Sequence, residues 1–156
     1  HIPVHLGAMG ETVRHVLQHC ELRDGDAWLS NDPYRGGSHL PDLTVVTPVF
    51  RAGRLVFVVA NRGHHADVGG IAPGSMPPDS QTISEEGALF SGELLLRDGQ
   101  LMSDAVRDVF VVAGTREPDE RMADLGAQVA VLRAKTATRG AEWAPGPPKC
   151  VLRIRD

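Results

Sequence analysis

The sequence predicts an α+β fold, rich in β structure, in which an antiparallel, hairpin-based sheet is flanked by helices. Two runs rich in Val and Phe, Leu43 to Phe50 and Leu55 to Ala60, are separated only by Arg51-Ala52-Gly53-Arg54, a glycine-containing loop of hairpin length. Behind Pro118, the apolar residues Met122, Leu125, Val129 and Leu132 recur at three- and four-residue steps, the period of an amphipathic helix. With 156 residues, 42% of them hydrophobic and 23% charged, the chain has room for one domain with an ordinary core.

In chain order, Val13, Val16 and Leu17 place a short amphipathic helix over Gly10 to Cys20. Arg23-Asp24-Gly25-Asp26 ends it as a turn. Ala27-Trp28-Leu29 reads as a short strand that delivers Asn31-Asp32-Pro33-Tyr34 and the loop Arg35-Gly36-Gly37-Ser38. In the hairpin, the nearly all-apolar second strand is expected to be buried on both faces and central in its sheet. The stretch from Gly63 to Pro78 is dense in Gly and Pro, as functional loops often are. A second hairpin is expected within Gly92 to Leu101, turning at Arg97-Asp98-Gly99, because Asp-Gly suits positive φ angles. The helix behind Pro118 should run to about Lys135, followed by an irregular, Pro-rich tail over 138–156.

Composition excludes some functions. A net charge of −4 without a dense Lys/Arg block offers no footprint for nucleic acid or an acidic membrane surface. No run reaches transmembrane length. Cys20 and Cys150 form neither a CxxC pair nor a disulfide framework, which fits a reducing, cytoplasmic compartment. The opening His1-Ile2-Pro3-Val4-His5 has neither an initiator Met nor the features of a signal peptide, and a piece of a longer protein is expected.

Metal-capable side chains gather in three short segments: Asn31-Asp32-Pro33-Tyr34, Ser38-His39-Leu40-Pro41-Asp42 and Arg62-Gly63-His64-His65-Ala66-Asp67-Val68-Gly69-Gly70. His39 and Asp42 precede the first strand of the hairpin, and His64 and Asp67 follow the second, so antiparallel pairing brings them to one end. Imidazole and carboxylate without thiolate suit Mn, Fe or Zn, and such an ion polarises a carbonyl or activates a water. The spacing leaves open whether these residues ligate metal or anchor turns. His64 and His65, adjacent in an extended chain, face opposite ways, so at most one is expected to bind directly. Asp32 beside Pro33 is equally suited to an Asx-turn, and Gly36-Gly37 to a ligand's approach or a tight turn. His15 and His19 stand four apart on the first helix without an HExxH pattern and read as surface residues. Glu85-Glu86 reads as a solvated pair rather than a general base, and Ser75 lacks the spacing of a nucleophile elbow.

In order and spacing, His1-Ile2-Pro3-Val4-His5-Leu6-Gly7, Asn31 to Asp42, Ala60 to Gly70 and Pro73-Gly74-Ser75-Met76-Pro77 resemble the hydantoinase B/oxoprolinase family. That family includes the B subunit of ATP-dependent N-methylhydantoinase, the C-terminal part of 5-oxoprolinase and the alpha subunit of acetone carboxylase. The resemblance covers about residues 1 to 134, giving a family-like domain over 1–137 before the tail. It implies a cytoplasmic hetero-oligomer in which a hydantoinase A-type subunit uses ATP to phosphorylate a small cyclic amide. The present chain would then complete ring opening of a hydantoin or 5-oxoproline, or carboxylation in the acetone carboxylase branch. It further implies manganese, with iron or zinc as alternatives, on His39, Asp42 and His64, with Asp32 fourth. His65 and Asp67 would be the catalytic pair, supporting the ligands or facing the substrate. The competing class is an inactive remnant that binds only metal or a partner subunit.

Overall fold

The structure, a computed structural model, describes residues 7–74, 76–139 and 151–152. Its elements are α1 (Ala8–His19), β1 (Ala27–Ser30), a 3-10 turn (Pro33–Arg35), β2 (Asp42–Arg51), β3 (Arg54–His64), α2 (Ile83–Glu86), β4 (Ser91–Arg97), β5 (Gln100–Leu101), α3 (Ser103–Val112), α4 (Pro118–Arg139) and β6 (Val151–Leu152). The strands form one antiparallel sheet in the order β5-β4-β1-β2-β3-β6. The predicted α+β architecture is therefore the observed one. The tail expected over 138–156 lies mostly outside the described residues.

The β2–β3 hairpin closes at Arg51 and Arg54, with Ala52 and Gly53 at φ 50° and 75°. Positive φ at both turn positions matches the twist of the two strands. Side chains alternate from this turn and separate two apolar clusters. On one face, Val46, Val58 and Ala60 pack with Val13 and Val16 of α1. On the other, Leu43, Val45 and Val59 join Val106 and Phe110 of α3 and Leu125, Val129 and Leu132 of α4. Each fully buried Val or Leu stabilises by about 1.5–3 kcal/mol, so helix layers on both faces fix which residues point which way.

Two expectations need correction. β3 is not buried throughout: Val58, Val59 and Ala60 are buried, but Val56 is exposed. Nor is it central, since β1 and β2 occupy the middle of the sheet and β3 borders only the short β6 on its outer side. The all-apolar run overstates burial because the helix layers cover only the middle of the strand. Further, α3 was not expected, because its β-branched sequence Val109-Phe110-Val111-Val112 disfavours helix intrinsically. Phe110 overrides that preference by an edge-to-face contact with Phe90, with ring centroids 5.2 Å apart.

Asn31 is the polar joint of the core. Fully buried, it donates to the carbonyls of Leu40 at 2.6 Å and Ala88 at 2.8 Å and accepts from the Phe90 amide at 2.7 Å. One side chain thus binds the end of β1 to the approach to β2 and to the entry of β4. Asn31→Ala should cost about 3 kcal/mol or more, because three backbone groups lose their partner in a dry interior; urea denaturation measures the loss.

Candidate metal centre

Asp42 opens β2, His64 closes β3, and the two are directly paired in the hairpin register. Residues so paired share a face with Cβ atoms about 4.5–5.5 Å apart, and here it is the face that α1 covers. His64 Nδ1 lies 2.9 Å from Asp42 Oδ1. The turn before β2, closed by the Asp42 amide on the His39 carbonyl at 3.0 Å, returns the His39 ring to the same carboxylate, with Nδ1 3.4 Å from Oδ2. The two imidazoles are 5.1 Å apart between centroids. One ligand atom from each of His39, Asp42 and His64 lies within 4.8 Å of the others. Asp42 is 3% exposed, whereas the His64 side chain is 54% exposed, so the carboxylate forms the floor and His64 the mouth.

This donor set fits a divalent cation. Metal–ligand distances of about 2.0–2.2 Å place neighbouring ligand atoms about 3–3.5 Å apart, within the reach of small side-chain rotations from the observed separation. Two nitrogens and one oxygen also leave coordination positions for water or substrate.

Arg62 braces the α1 side of the site. Two residues before His64 and on the same face, it donates to Thr44 Oγ1 (2.7 Å), Ser38 Oγ (3.3 Å), Thr12 Oγ1 (3.1 Å) and the Gly36 carbonyl (3.3 Å). It joins β2, β3, α1 and the loop that leads into His39. The sequence marked Arg62 only as a member of a motif; its branched donors, able to bridge several chain segments, are the signal that goes with this role. Gly36 and Gly37 allow the same close packing. A Cβ on Gly36, at φ 90°, would stand 2.2 Å from the Thr12 nitrogen, and one on Gly37 would stand 2.3 Å from the Asn31 carbonyl oxygen. Their freedom serves chain packing.

The other expected residues stand elsewhere. Asp32 is not part of the converging group: Oδ1 accepts from the Tyr34 amide at 2.9 Å, while Oδ2 takes the Ser91 hydroxyl at 2.7 Å and Arg35 Nε at 3.1 Å. It caps a turn. His65 faces the α4 side, 3% exposed, with Nε2 3.0 Å from Gln128 Oε1. Burial pushes its imidazole below the ordinary value, against the opposing effects of Gln128 and Asp124. The adjacent histidines thus point to opposite faces, as extended geometry requires. His15 and His19 stack at 4.3 Å beside an open cavity of about 570 Å³ that Arg14, Tyr34 and Arg35 also line. Glu85 accepts from the Thr82 and Gln81 amides at 3.0 and 2.6 Å and starts α2. Ser75 lies outside the described residues.

Asp67 anchors the glycine-rich strap that follows β3. Oδ1 accepts from the Gly69 amide at 2.9 Å and Arg116 Nη1 at 3.0 Å, and Oδ2 accepts from the Arg116 amide at 3.0 Å. Burial pushes its carboxyl up, but the two amides and the Arg116 guanidinium outweigh this and hold it below the usual carboxylate range. A depressed folded-state pKa adds stability that is present above the unfolded value of about 3.9 and lost as pH falls through the folded value. Arg116→Ala should therefore raise the Asp67 pKa and reduce this acid-labile contribution; a carboxyl ¹³C titration follows the first effect and denaturation between pH 2 and 5 the second.

The family model for hydantoinase B/oxoprolinase matches residues 1–139. The chain is 47% identical over 142 residues to 5-oxoprolinase 1 of Arabidopsis thaliana, covering 83% of this chain and 11% of that protein. It is 39% identical over 143 residues to the acetophenone carboxylase delta subunit of Aromatoleum aromaticum, covering 87% and 21% respectively. The crystal structure of ATP-dependent caprolactamase from Pseudomonas jessenii superposes with a TM-score of 0.75 at 30% identity, over 88% of this chain and 24% of that one. The chain thus spans between about a tenth and a quarter of these relatives. With a family model matching nearly its whole length and relatives at such identity, the chain belongs to the hydantoinase B/oxoprolinase family.

Proposed function

We propose that this chain carries the metal-holding part of an ATP-dependent hydrolase of small cyclic amides, 5-oxoproline or a hydantoin. The convergence of His39, Asp42 and His64 at one end of the hairpin carries this reading. Similarity to 5-oxoprolinase and to an ATP-dependent caprolactamase supports the substrate class. Manganese is the first choice of ion, as the family resemblance implies, and iron or zinc the alternatives; imidazole and carboxylate without thiolate suit all three. The ion supplies Lewis acidity toward a lactam carbonyl or a lowered pKa for an attacking water. Asp42 contributes the buried negative charge, His39 closes the floor, and His64 at the mouth borders the space a substrate enters. Asp32 is left out of the ligand set because its oxygens are committed to Tyr34, Ser91 and Arg35. His65 and Asp67 act by positioning: they hold the end of β3 and the strap beyond it. ATP is consumed on a hydantoinase A-type partner, as a separate subunit or a fused region. Similarity to an acetophenone carboxylase subunit favours, as the second reading, carboxylation at the same site.

Reconstitution with an A-type partner tests both readings. Ring opening should require ATP, vanish on chelation and return with manganese; ATP-dependent carboxylation of a ketone in its place would select the second reading. His39→Ala and Asp42→Ala should each lose bound metal and at least about 100-fold in activity, at or beyond the upper end for outer partners of a metal site, with melting temperatures changed by only a few degrees. Stoichiometric metal in both variants would sink the ligand assignment, and metal binding without turnover of either kind would point to a remnant that only holds the ion.

A further inference from the structure

The face of the hairpin opposite the candidate centre carries a second constellation. Gln128, on α4, reaches down to the sheet where Leu43 pairs with Gly63, the rung next to the one on which Asp42 pairs with His64. Its Nε2 lies 3.2 Å from the Leu43 carbonyl and 3.4 Å from Asn61 Oδ1, and its Oε1 lies 3.0 Å from His65 Nε2. Asn61 Nδ2 donates in turn to the Gln128 backbone carbonyl at 3.0 Å.

Only one assignment of these groups is consistent. The Leu43 carbonyl can only accept, so the Gln128 NH₂ faces it. Gln128 Oε1 therefore faces His65 and must receive a proton from its Nε2. Asn61 uses its NH₂ on the helix carbonyl, which leaves Oδ1 to accept from Gln128. One amide thus bonds to β2 through the Leu43 carbonyl, to β3 through Asn61 and to the exit of β3 through His65. Gly63 makes the room: a Cβ there would stand 2.9 Å from Gln128 Nε2.

We infer that Gln128 is the positioning residue of the centre, a clamp that fixes the separation of Asp42 and His64 from behind the sheet. The residue that each candidate ligand adjoins along its strand, Leu43 or Gly63, lies against this amide, and His64 is also followed directly by His65. Asp42 and His64 stand at the strand ends, where the pairing closes with the bond from the His65 amide to the Pro41 carbonyl at 2.8 Å, and fraying is least opposed at such ends. The clamp opposes it. On the ligand side, Arg62 bridges the strands one rung further in, through Thr44. The pair is thus held from both faces by side chains that stay off the ligand atoms. The inference rests on the metal-site reading of His39, Asp42 and His64.

The test compares the parent protein with Gln128→Leu, which keeps the bulk but removes the amide, and with Gly63→Ala, whose methyl group pushes the amide aside. The first readout uses metal-free protein: hydrogen exchange at the Leu43 and His65 amides, both bonded to the Pro41 carbonyl, at 3.0 and 2.8 Å. Both variants should exchange at least tenfold faster there, with α1, on the other face, unchanged. Unaltered exchange at those amides in Gln128→Leu would overturn the clamp whether or not any metal binds. The second readout is a titration with Co²⁺, whose visible bands report coordination geometry. Gln128→Leu should weaken cobalt binding at least tenfold and shift the bands. Parent-like affinity and bands in a variant of reduced stability would mark Gln128 as merely structural. A parent protein that fails to bind cobalt would instead sink the metal reading, leaving hydrogen exchange to decide on the clamp. Gly63→Ala carries both readouts should Gln128→Leu fail to fold.

Discussion

The register of β2 against β3 is the constraint on which the rest of this structure depends. Because side chains alternate along a strand, pairing Asp42 with His64 also pairs Val46 with Ala60 and Val45 with Asn61. The first two pairs then face α1, and the third faces α4. The apolar surfaces that seat the two helix layers and the polar groups that converge at the hairpin's open end are therefore set by one choice of pairing. Moving the register by one residue would bury the wrong set on both faces, so the energy of the core protects the geometry of the site.

The residues around the centre form a graded environment. Asp42 lies at the bottom, almost out of contact with solvent, and His64 at the top in contact with it. Around them, polar groups join segments distant in sequence: Asn31 binds three stretches of chain, Arg62 four, and Asp67 the strap to the corner between α3 and α4. Each is a side chain with several donors or acceptors: Asn31 and Asp67 spend theirs largely on backbone groups, and Arg62 spends most of its own on hydroxyls. They hold loops rich in glycine and proline in a single arrangement.

Much of this was legible in the sequence. The hairpin, the Asp98-Gly99 turn, α1 and α4 follow from local periodicity and turn chemistry, and the approach of His39, Asp42 and His64 follows from placing them at one end of an antiparallel pair. The opposite facing of His64 and His65 needed only the strand period. What sequence could not give was partners across space. Nothing local distinguishes Asp32, whose oxygens meet Tyr34, Ser91 and Arg35, from Asp42, whose oxygens meet His64 and His39. Gln128 looks like any polar position on a helix until the sheet beneath it is known. Within Val109 to Val112, Phe110 is the residue buried against Phe90, a partner twenty residues away that the local sequence does not reveal.

The two neighbouring histidines carry a hidden ambiguity. A β3 shifted by one residue would present His65 opposite Asp42 in place of His64, and the chemistry of that rung would look the same. The core already disfavours that frame, and Gly63 adds a local discriminator: a Cβ there would stand 2.9 Å from Gln128 Nε2, and in the shifted frame an imidazole would stand in that space. A residue with no side chain therefore helps the core to tell two alignments apart whose ligand rungs look alike, and an atom missing on the far side of the sheet bears on which donor stands at the mouth.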